Sequence, residues 1–350
     1  MNVYLCFMCI LLIQGIIFVY WKKKPKIFII FVTIEFILLS GLRNITVGSD
    51  TQAYLTFFER IDYHYTWREV MTYVFYRYWT GGRWFEPLYV LYIKVFHTIT
   101  VNPQIFLIIT ALIIFLPLEK YLYDNSKDVS MSAMIYMCLF FQCFGITAIR
   151  QAIALSMVSL WGFQFVKERK LSWYILTVAI AFMFHASAII MLPYYFLYQI
   201  KLTKKMRIIY AVGVGVLLWT KEYIIQIAAK MVGLVYVGVE GQKAFNMVLI
   251  MLAVTGYLLV RYDYIIVKRT ENTGLINAIL AGTLILPFTQ IDNTYMRLCY
   301  YYYMALMVVI PEIIEDFPQK LHIPIRICAY LGMSILFVRH GLEYSFFWQA

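Results

Sequence analysis

Long apolar runs recur along the chain and alternate with short basic loops, and this pattern limits the fold more than any other feature. Many runs approach the roughly 20 residues that an α-helix needs to cross a bilayer. The predicted spans are 3–20, 27–42, 104–119, 131–148, 151–166, 171–199, 206–220, 245–260, 275–289, 298–314 and 325–340. Hydrophobic residues make up 63% of the 350 and charged residues 14%, which leaves more apolar surface than a soluble core buries. The sequence therefore predicts an all-α, polytopic integral membrane protein with about 10–13 transmembrane or re-entrant helices.

The basic loops predict how the chain is oriented. Lysine and arginine cluster in 22–26, 167–170, 201–207 and 261–269, and loops of this kind stay in the cytoplasm. The N-terminus and the long segment 43–86 are then outside. Contacts with anionic lipid headgroups account for the net charge of +11, so membrane lipids are expected partners and nucleic acid is not.

Three segments need a separate interpretation. The loop 120–130 reaches the cytoplasmic side only if 87–103 enters the membrane and returns on the same side, which predicts a re-entrant or interfacial path. The run 171–199 is too long for one helix and contains Pro193, so two short helices meeting near His185 are expected. The amphipathic stretch 223–240 is expected to lie in the membrane interface.

No linker or repeat suggests a second domain, so residues 1–350 are interpreted as one membrane domain with 43–86 as its extracytoplasmic interfacial segment. The first run, 3–20, lacks the basic flank and small-residue cleavage site of a signal peptide and is expected to be a retained helix. All six cysteines lie in apolar stretches without metal-ligand spacing. No metal and no cofactor are expected.

Four ionisable residues at the predicted outer helix ends need a reason, because a charge at membrane depth costs about 2.5–3.5 kcal/mol. They are Arg43, Arg150, His185 and Arg297. Guanidinium groups bind phosphate oxygens bidentately, so three outward arginines predict an anion clamp. The alternative for Arg43 and Arg297 is snorkelling to headgroups. His185 either bonds to a neighbouring helix or accepts a proton in catalysis.

Two carboxylates have both a capping and a functional interpretation. Asp50 follows the second span and could cap a helix that begins near Ala53. Glu86 precedes Pro87, which suits the first turn of a helix. The aromatic residues of 57–86 predict an amphipathic interfacial helix, with stacking on sugar rings as the alternative.

Five short motifs, in this order along the chain, resemble those of the EpsG-like family of bacterial polysaccharide polymerases. They are GLRNITVGSDTQAY (41–54), WFEPLY (84–89), RQAIA (150–154), FHASAI (184–189) and YMRLCY (295–300). They span roughly residues 30–310. The motif around Glu86 has Pro87 where the family commonly has glycine after the acid.

The resemblance implies a Wzy-type O-antigen or exopolysaccharide polymerase. Such an enzyme would join oligosaccharide repeat units carried on undecaprenyl diphosphate, at the outer face of the bacterial cytoplasmic (inner) membrane. A chain-length regulator protein would be a candidate partner. A transporter or flippase of lipid-linked glycan, and an O-antigen ligase, are the alternatives, because both would also use an outward cationic site.

The resemblance also suggests residue roles. Arg150 and Arg297, with Arg43 as a third candidate, would bind the diphosphate and stabilise the leaving group. His185, Asp50 or Glu86 would take the proton of the acceptor hydroxyl. The charge of the arginines would substitute for a metal ion, and direct displacement with a single base predicts inversion at the anomeric carbon.

Overall fold

The computed structural model describes residues 3–80, 85–231, 245–338 and 343–349. Within these ranges it contains helices and no strands, and overall it is 83% helical. Six of its helices are long and apolar enough to cross a membrane, or up to eight if each of two bent pairs is one span. The predicted all-α, multi-pass membrane fold is confirmed.

The helices, in chain order, are α1 (Val3–Gln14), α2 (Pro25–Gly41), α3 (Thr51–His64), α4 (Trp67–Thr72), α5 (Pro87–Ile99), α6 (Pro103–Asn125), α7 (Val129–Leu139), α8 (Ile149–Leu155), α9 (Phe163–Lys167), α10 (Leu171–Phe184), α11 (Tyr194–Leu197), α12 (Lys204–Met231), α13 (Phe245–Lys268), α14 (Thr273–Ile285), α15 (Met296–Tyr303), α16 (Leu306–Glu315) and α17 (Gln319–Val338). Contacts between Cα atoms divide the chain into two compact units. Unit 1 is Met1–Ile189 with Ile310–Ala350, and unit 2 is Ile190–Val309. The predicted single membrane domain stays a prediction, because this division does not show which residues the membrane surrounds.

Breaks in three apolar runs set the path of the backbone. The predicted break at His185 is confirmed: α10 ends at Phe184, His185 is extended (φ −156°, ψ 119°), and a 3₁₀-helix, Ala186–Met191, follows. The run 131–148 was expected to be one span. Instead α7 meets a π-helical stretch, Phe141–Thr147, at 68°.

The run 298–314 is also bent, because Asn293–Tyr303 meets α16 at 64°. Hydropathy measures the length of an apolar run and not the direction of the helix within it. Neither bend was therefore predictable from the apolar pattern.

Aromatic packing holds together the core of unit 1. The ring of Phe36 on α2 lies 5.4 Å from Phe115 on α6, 5.3 Å from Tyr136 on α7 and 5.2 Å from Phe141. Gly41 brings α2 close to α6, since a Cβ there would lie 2.8 Å from a side-chain carbon of Ile108. Dispersion and burial of these rings stabilise the helix contacts.

Polar contacts in unit 1 gather at two opposite ends. At the predicted outer end, the amide of Gln104 donates to the Gly41 carbonyl, and the Phe347 N–H donates to the Leu42 carbonyl at 2.9 Å. At the predicted cytoplasmic end, Lys167 donates to Asn125 at 3.0 Å. Each contact joins residues that the orientation predicted from the basic loops puts on one side of the membrane. Which side is cytoplasmic stays a prediction.

Helix α5 starts and finishes at the same end of unit 1. Glu86, just before it, pairs with Arg150. Just after it, Asn102 caps α6, next to the Gln104 that bonds Gly41. The re-entrant or interfacial path of 87–103 stays a prediction.

Unit 2 is held by side-chain bonds to backbone carbonyls and by hydroxyl pairs. The amide of Asn277 on α14 donates to the carbonyls of Leu197 and Ile200, each at 2.7 Å. Thr255 and Thr283 share a hydrogen bond of 2.8 Å between α13 and α14. The predicted interfacial stretch 223–240 is helical as far as Met231, and its remainder lies outside the described residues.

Candidate functional site

An ion pair between Arg150 and Glu86 forms the centre of the candidate site. Arg150 is the second residue of α8, and one of its terminal nitrogens donates to Oε2 of Glu86. Glu86 occupies the N-cap position of α5, with Pro87 in the first turn as the capping interpretation expected, but its side chain makes no cap bond. The Glu86 residue is 8% exposed, and the Arg150 side chain is 23% exposed. A largely buried carboxylate therefore neutralises a guanidinium that keeps some access to its surroundings.

Two aromatic rings hold the Arg150 guanidinium from the side. Its central carbon lies 4.7 Å from the ring centroid of Phe85 and 5.9 Å from that of Tyr54. The two rings lie 6.0 Å apart, and Tyr54 also contacts Tyr89 at 5.7 Å. Contacts of this type orient an arginine through its face and leave its N–H edge for hydrogen bonds.

His185 belongs to the same cluster through the backbone that follows it. Oε1 of Glu86 lies 3.4 Å from the N–H of Ala186. The His185 ring is half-buried, and its Nδ1 lies 2.6 Å from Oγ of Ser187 and 3.3 Å from the Ser187 N–H. We call Arg150, Glu86, His185, Tyr54 and Phe85 the Arg150 cluster. It joins residues from four separate segments of unit 1.

Asp50 lies one helical turn before Tyr54. It occupies the N-cap position of α3, which starts at Thr51 and not near Ala53, and it makes no side-chain cap bond. Its carboxylate accepts from the hydroxyl of Ser49 at 3.1 Å. Asp50 therefore has the expected capping position without a side-chain cap bond, and its role as a base stays a prediction.

Arg43 lies inside unit 1. It is 1% exposed, and its guanidinium donates to Oγ1 of Thr51 at 3.2 Å and to the carbonyl and hydroxyl of Ser40. Burial lowers its pKa to about 10, which leaves it protonated at neutral pH. A bridge to Phe346 pairs its backbone with the C-terminal segment. These contacts favour a bracing role over direct contact with a ligand, and diphosphate binding by Arg43 stays a prediction.

Arg297 belongs to unit 2, where it is half-buried near the start of α15. Its participation in the candidate site stays a prediction. The first residue of the motif at 84–89, Trp84, lies outside the described residues.

The polar group that positions α5 was not among the predicted site residues. Lys94 is 4% exposed and donates to Asp62 on α3 and to the Tyr65 carbonyl at 2.6 Å. His97, one turn later, has Nδ1 3.0 Å from the other oxygen of Asp62. The available signal was a lysine and a histidine three residues apart on an apolar helix, which places both on one face.

Among the described residues, no group of three or more His, Cys, Asp or Glu side chains is arranged to hold a metal ion. Arg150 offers positive charge in the cluster instead. Metal independence of the reaction stays a prediction.

Comparison with protein families gives one decisive match. The profile of the EpsG family matches residues 26–349, which is nearly the whole chain. The chain belongs to the EpsG family. Membership in the EpsG family supports a general role in exopolysaccharide biosynthesis and a glycosyltransferase-like polymerase. No curated protein and no solved structure matches this EpsG-family chain.

Proposed function

We propose that this EpsG-family chain is a membrane glycosyltransferase that polymerises lipid-linked oligosaccharide repeat units into O-antigen or exopolysaccharide. It would transfer the growing glycan from undecaprenyl diphosphate to the non-reducing end of an incoming repeat unit, at the outer face of the bacterial inner membrane. The Arg150 cluster carries this proposal. The proposal is supported by the contact of the Arg150 guanidinium with the Glu86 carboxylate, by the reach of that carboxylate to the backbone N–H that follows His185, and by the polymerase-like family of this polytopic membrane protein.

The chemistry of the transfer assigns the groups their roles. Arg150 binds the diphosphate, assisted by Arg297 and with Arg43 as a third candidate. Its charge stabilises the leaving group as negative charge develops there. The acceptor hydroxyl loses its proton to His185, Asp50 or Glu86. Attack from the face opposite the diphosphate inverts the anomeric carbon. The positive charge of the arginines replaces the divalent metal ion with which other transferases stabilise the leaving group.

Purified protein in proteoliposomes with defined lipid-linked repeat units tests the proposal. Wild type should lengthen the glycan in steps of one repeat unit, resolved by electrophoresis or mass spectrometry. Arg150→Ala and His185→Ala should each lower the rate by at least about 100-fold, since charge stabilisation and proton transfer each contribute on that order. Arg68→Ala, at an exposed arginine of α4, is the matched control and should keep the wild-type rate. Wild-type rates in both site variants, at equal protein levels, would refute the assignment.

The same system separates the rival functions. A flippase would move the lipid-linked unit across the vesicle membrane without lengthening it. A ligase would transfer glycan to lipid A core but would not join repeat units. In cells that make O-antigen, loss of a polymerase leaves a single repeat unit on the lipid A core, whereas loss of a ligase leaves none.

A further inference from the structure

We infer that His185 acts in the proposed transfer as a hydrogen-bond donor through Nε2–H, and that Glu86 is the base that takes the acceptor proton. This inference rests on the proposed function and resolves the choice of base that the sequence left open. It follows from what each group is bonded to in the Arg150 cluster.

The contacts of His185 decide where its proton resides. The backbone N–H of Ser187 points at Nδ1 from 3.3 Å, and a backbone N–H only donates. Nδ1 therefore offers its lone pair, and in that tautomer the Ser187 hydroxyl, 2.6 Å away, is the donor in its contact with the same atom. A neutral imidazole has one proton, which is then on Nε2. In that tautomer Nε2 is a donor and has no lone pair for the proton of a sugar hydroxyl.

The local backbone builds this arrangement without help from a ligand. His185 is extended after α10 and the 3₁₀-helix starts at Ala186, so the chain turns back toward the ring and brings the Ser187 N–H to Nδ1. If Nδ1 were protonated, its N–H and the backbone N–H of Ser187 would both be donors pointing at each other, which is unfavourable. The turn therefore disfavours the imidazolium form as well as the other neutral tautomer.

Glu86 has the properties of a base that His185 lacks in this tautomer. It is buried, it does not cap α5, and as a carboxylate it only accepts hydrogen bonds. One of its oxygens pairs with Arg150, and the other lies 3.4 Å from the N–H of Ala186, next to His185. Without substrate it supplies the counter-charge for Arg150. When a diphosphate takes over the guanidinium, the Glu86 oxygen that was paired with Arg150 becomes available to accept the proton of the acceptor hydroxyl.

The transfer then balances as one displacement. The acceptor oxygen forms a bond to the anomeric carbon, and the bond from that carbon to the diphosphate oxygen breaks with its electron pair on the diphosphate. The hydroxyl proton passes to Glu86, which later returns it to water. Arg150 stabilises the departing diphosphate, and His185 Nε2–H donates to one of its oxygens. The products are undecaprenyl diphosphate and a glycan longer by one repeat unit.

Paired substitutions test the two roles in the polymerisation assay. Glutamine in place of histidine sets an amide N–H near the position of Nε2 but cannot act as a base. His185→Gln should therefore stay within about 10-fold of wild type, whereas His185→Ala falls by about 100-fold or more because it removes a donor to the departing diphosphate. Glu86→Gln, which keeps the shape but not the basicity, should lose at least about 100-fold, and Glu86→Asp should recover part of it. If His185→Gln is as inactive as His185→Ala while Glu86→Gln stays active, the inference is overturned.

A spectroscopic measurement tests the tautomer independently of activity. Nitrogen-15 solid-state NMR of histidine-labelled protein in liposomes distinguishes protonated from unprotonated ring nitrogens, and the signal absent from His185→Gln belongs to His185 among the five histidines. We expect unprotonated Nδ1 and protonated Nε2 at neutral pH in wild type. Ser187→Ala keeps the backbone N–H, so it should show the same tautomer.

A His185 with protonated Nδ1 would overturn the inference whether or not the protein polymerises glycan. Wild-type protein that never lengthens glycan, yet shows the expected tautomer, would refute the proposed function and with it the assignment of Glu86. The two failures are therefore distinguishable.

Discussion

Replacement of Asp62 by asparagine should destabilise unit 1, because it removes the only carboxylate paired with Lys94 among the described residues. Lys94 is buried on α5, and its ammonium would keep only the Tyr65 carbonyl and an amide oxygen as acceptors. Loss of one partner from a fully buried ion pair costs about 3–5 kcal/mol, and an exposed pair contributes about 0–1 kcal/mol. The Asp62 side chain is 54% exposed, so water screens the pair and we expect a loss of about 2 kcal/mol.

The effect should depend on pH in a defined direction. The hydrogen bond from Lys94 holds the pKa of Asp62 below its usual range. A carboxyl group whose pKa is lowered by folding stabilises the native state above its unfolded pKa, and this stability is lost as the pH falls through the folded value. The difference between wild type and Asp62→Asn should therefore shrink as the pH falls below about 4.

Thermal unfolding in detergent, followed by tryptophan fluorescence, measures the effect, with an expected decrease in the unfolding midpoint of about 4 °C. Lys94→Met supplies the control through a double-mutant cycle. Once the ammonium is gone, the loss of Asp62 should cost little, so the double variant should be more stable than additivity predicts. An Asp62→Asn variant with the wild-type midpoint, or strictly additive single variants, would refute the argument that Asp62 compensates a buried charge.

Two further substitutions test the backbone and the opposite end of unit 1. Gly48→Ala should cost about 1–3 kcal/mol in the same unfolding assay, because Gly48 has φ +90° and a Cβ there would lie 2.8 Å from a side-chain carbon of Ile146; an unchanged midpoint would contradict this. Asp128→Asn should cost about 3 kcal/mol, because Asp128 is 3% exposed and accepts from Tyr20 at 2.7 Å and from Arg326 at 3.3 Å. Adding Arg326→Met should recover part of that loss, and a further decrease would contradict the ion-pair explanation.

The fold was predictable where bilayer thickness and helix geometry alone decide it. The run 171–199 exceeds one span and contains a proline, so a break near His185 followed from its length, and the structure has it there. The apolar run at 206–220 also predicted a helix, but α12 continues to Met231. Polar residues beyond an apolar run do not end a helix by themselves. Hydropathy therefore predicted the part of α12 that is apolar enough for a membrane and did not predict its extension to Met231.

The candidate site was predictable only as a set of unusual residues. Arg150 and His185 were unusual because each stands alone in an apolar stretch, and this can be seen in the sequence. Their connection through Glu86 cannot be seen in the sequence, because the ion pair joins residues 64 positions apart and depends on where α5 starts. An acidic residue before Pro87 is expected whether Glu86 caps α5 or pairs with Arg150. Only the tertiary structure distinguishes these two roles.

Helix α5 explains why the site can combine a buried carboxylate with an accessible guanidinium. Glu86, just before this helix, pairs with Arg150, and two turns later Lys94 and His97 anchor the helix to Asp62 on α3. The same α3 carries Tyr54 against the guanidinium. Glu86 precedes α5 and Tyr54 lies on α3, and Asp62 holds these two helices together. A shift of this helix pair would therefore move the proposed base together with the aromatic ring that supports Arg150. If Glu86 is the base, substitutions at Asp62 should lower the polymerisation rate without changing the protonation of His185, and a wild-type rate in Asp62→Asn would contradict this coupling.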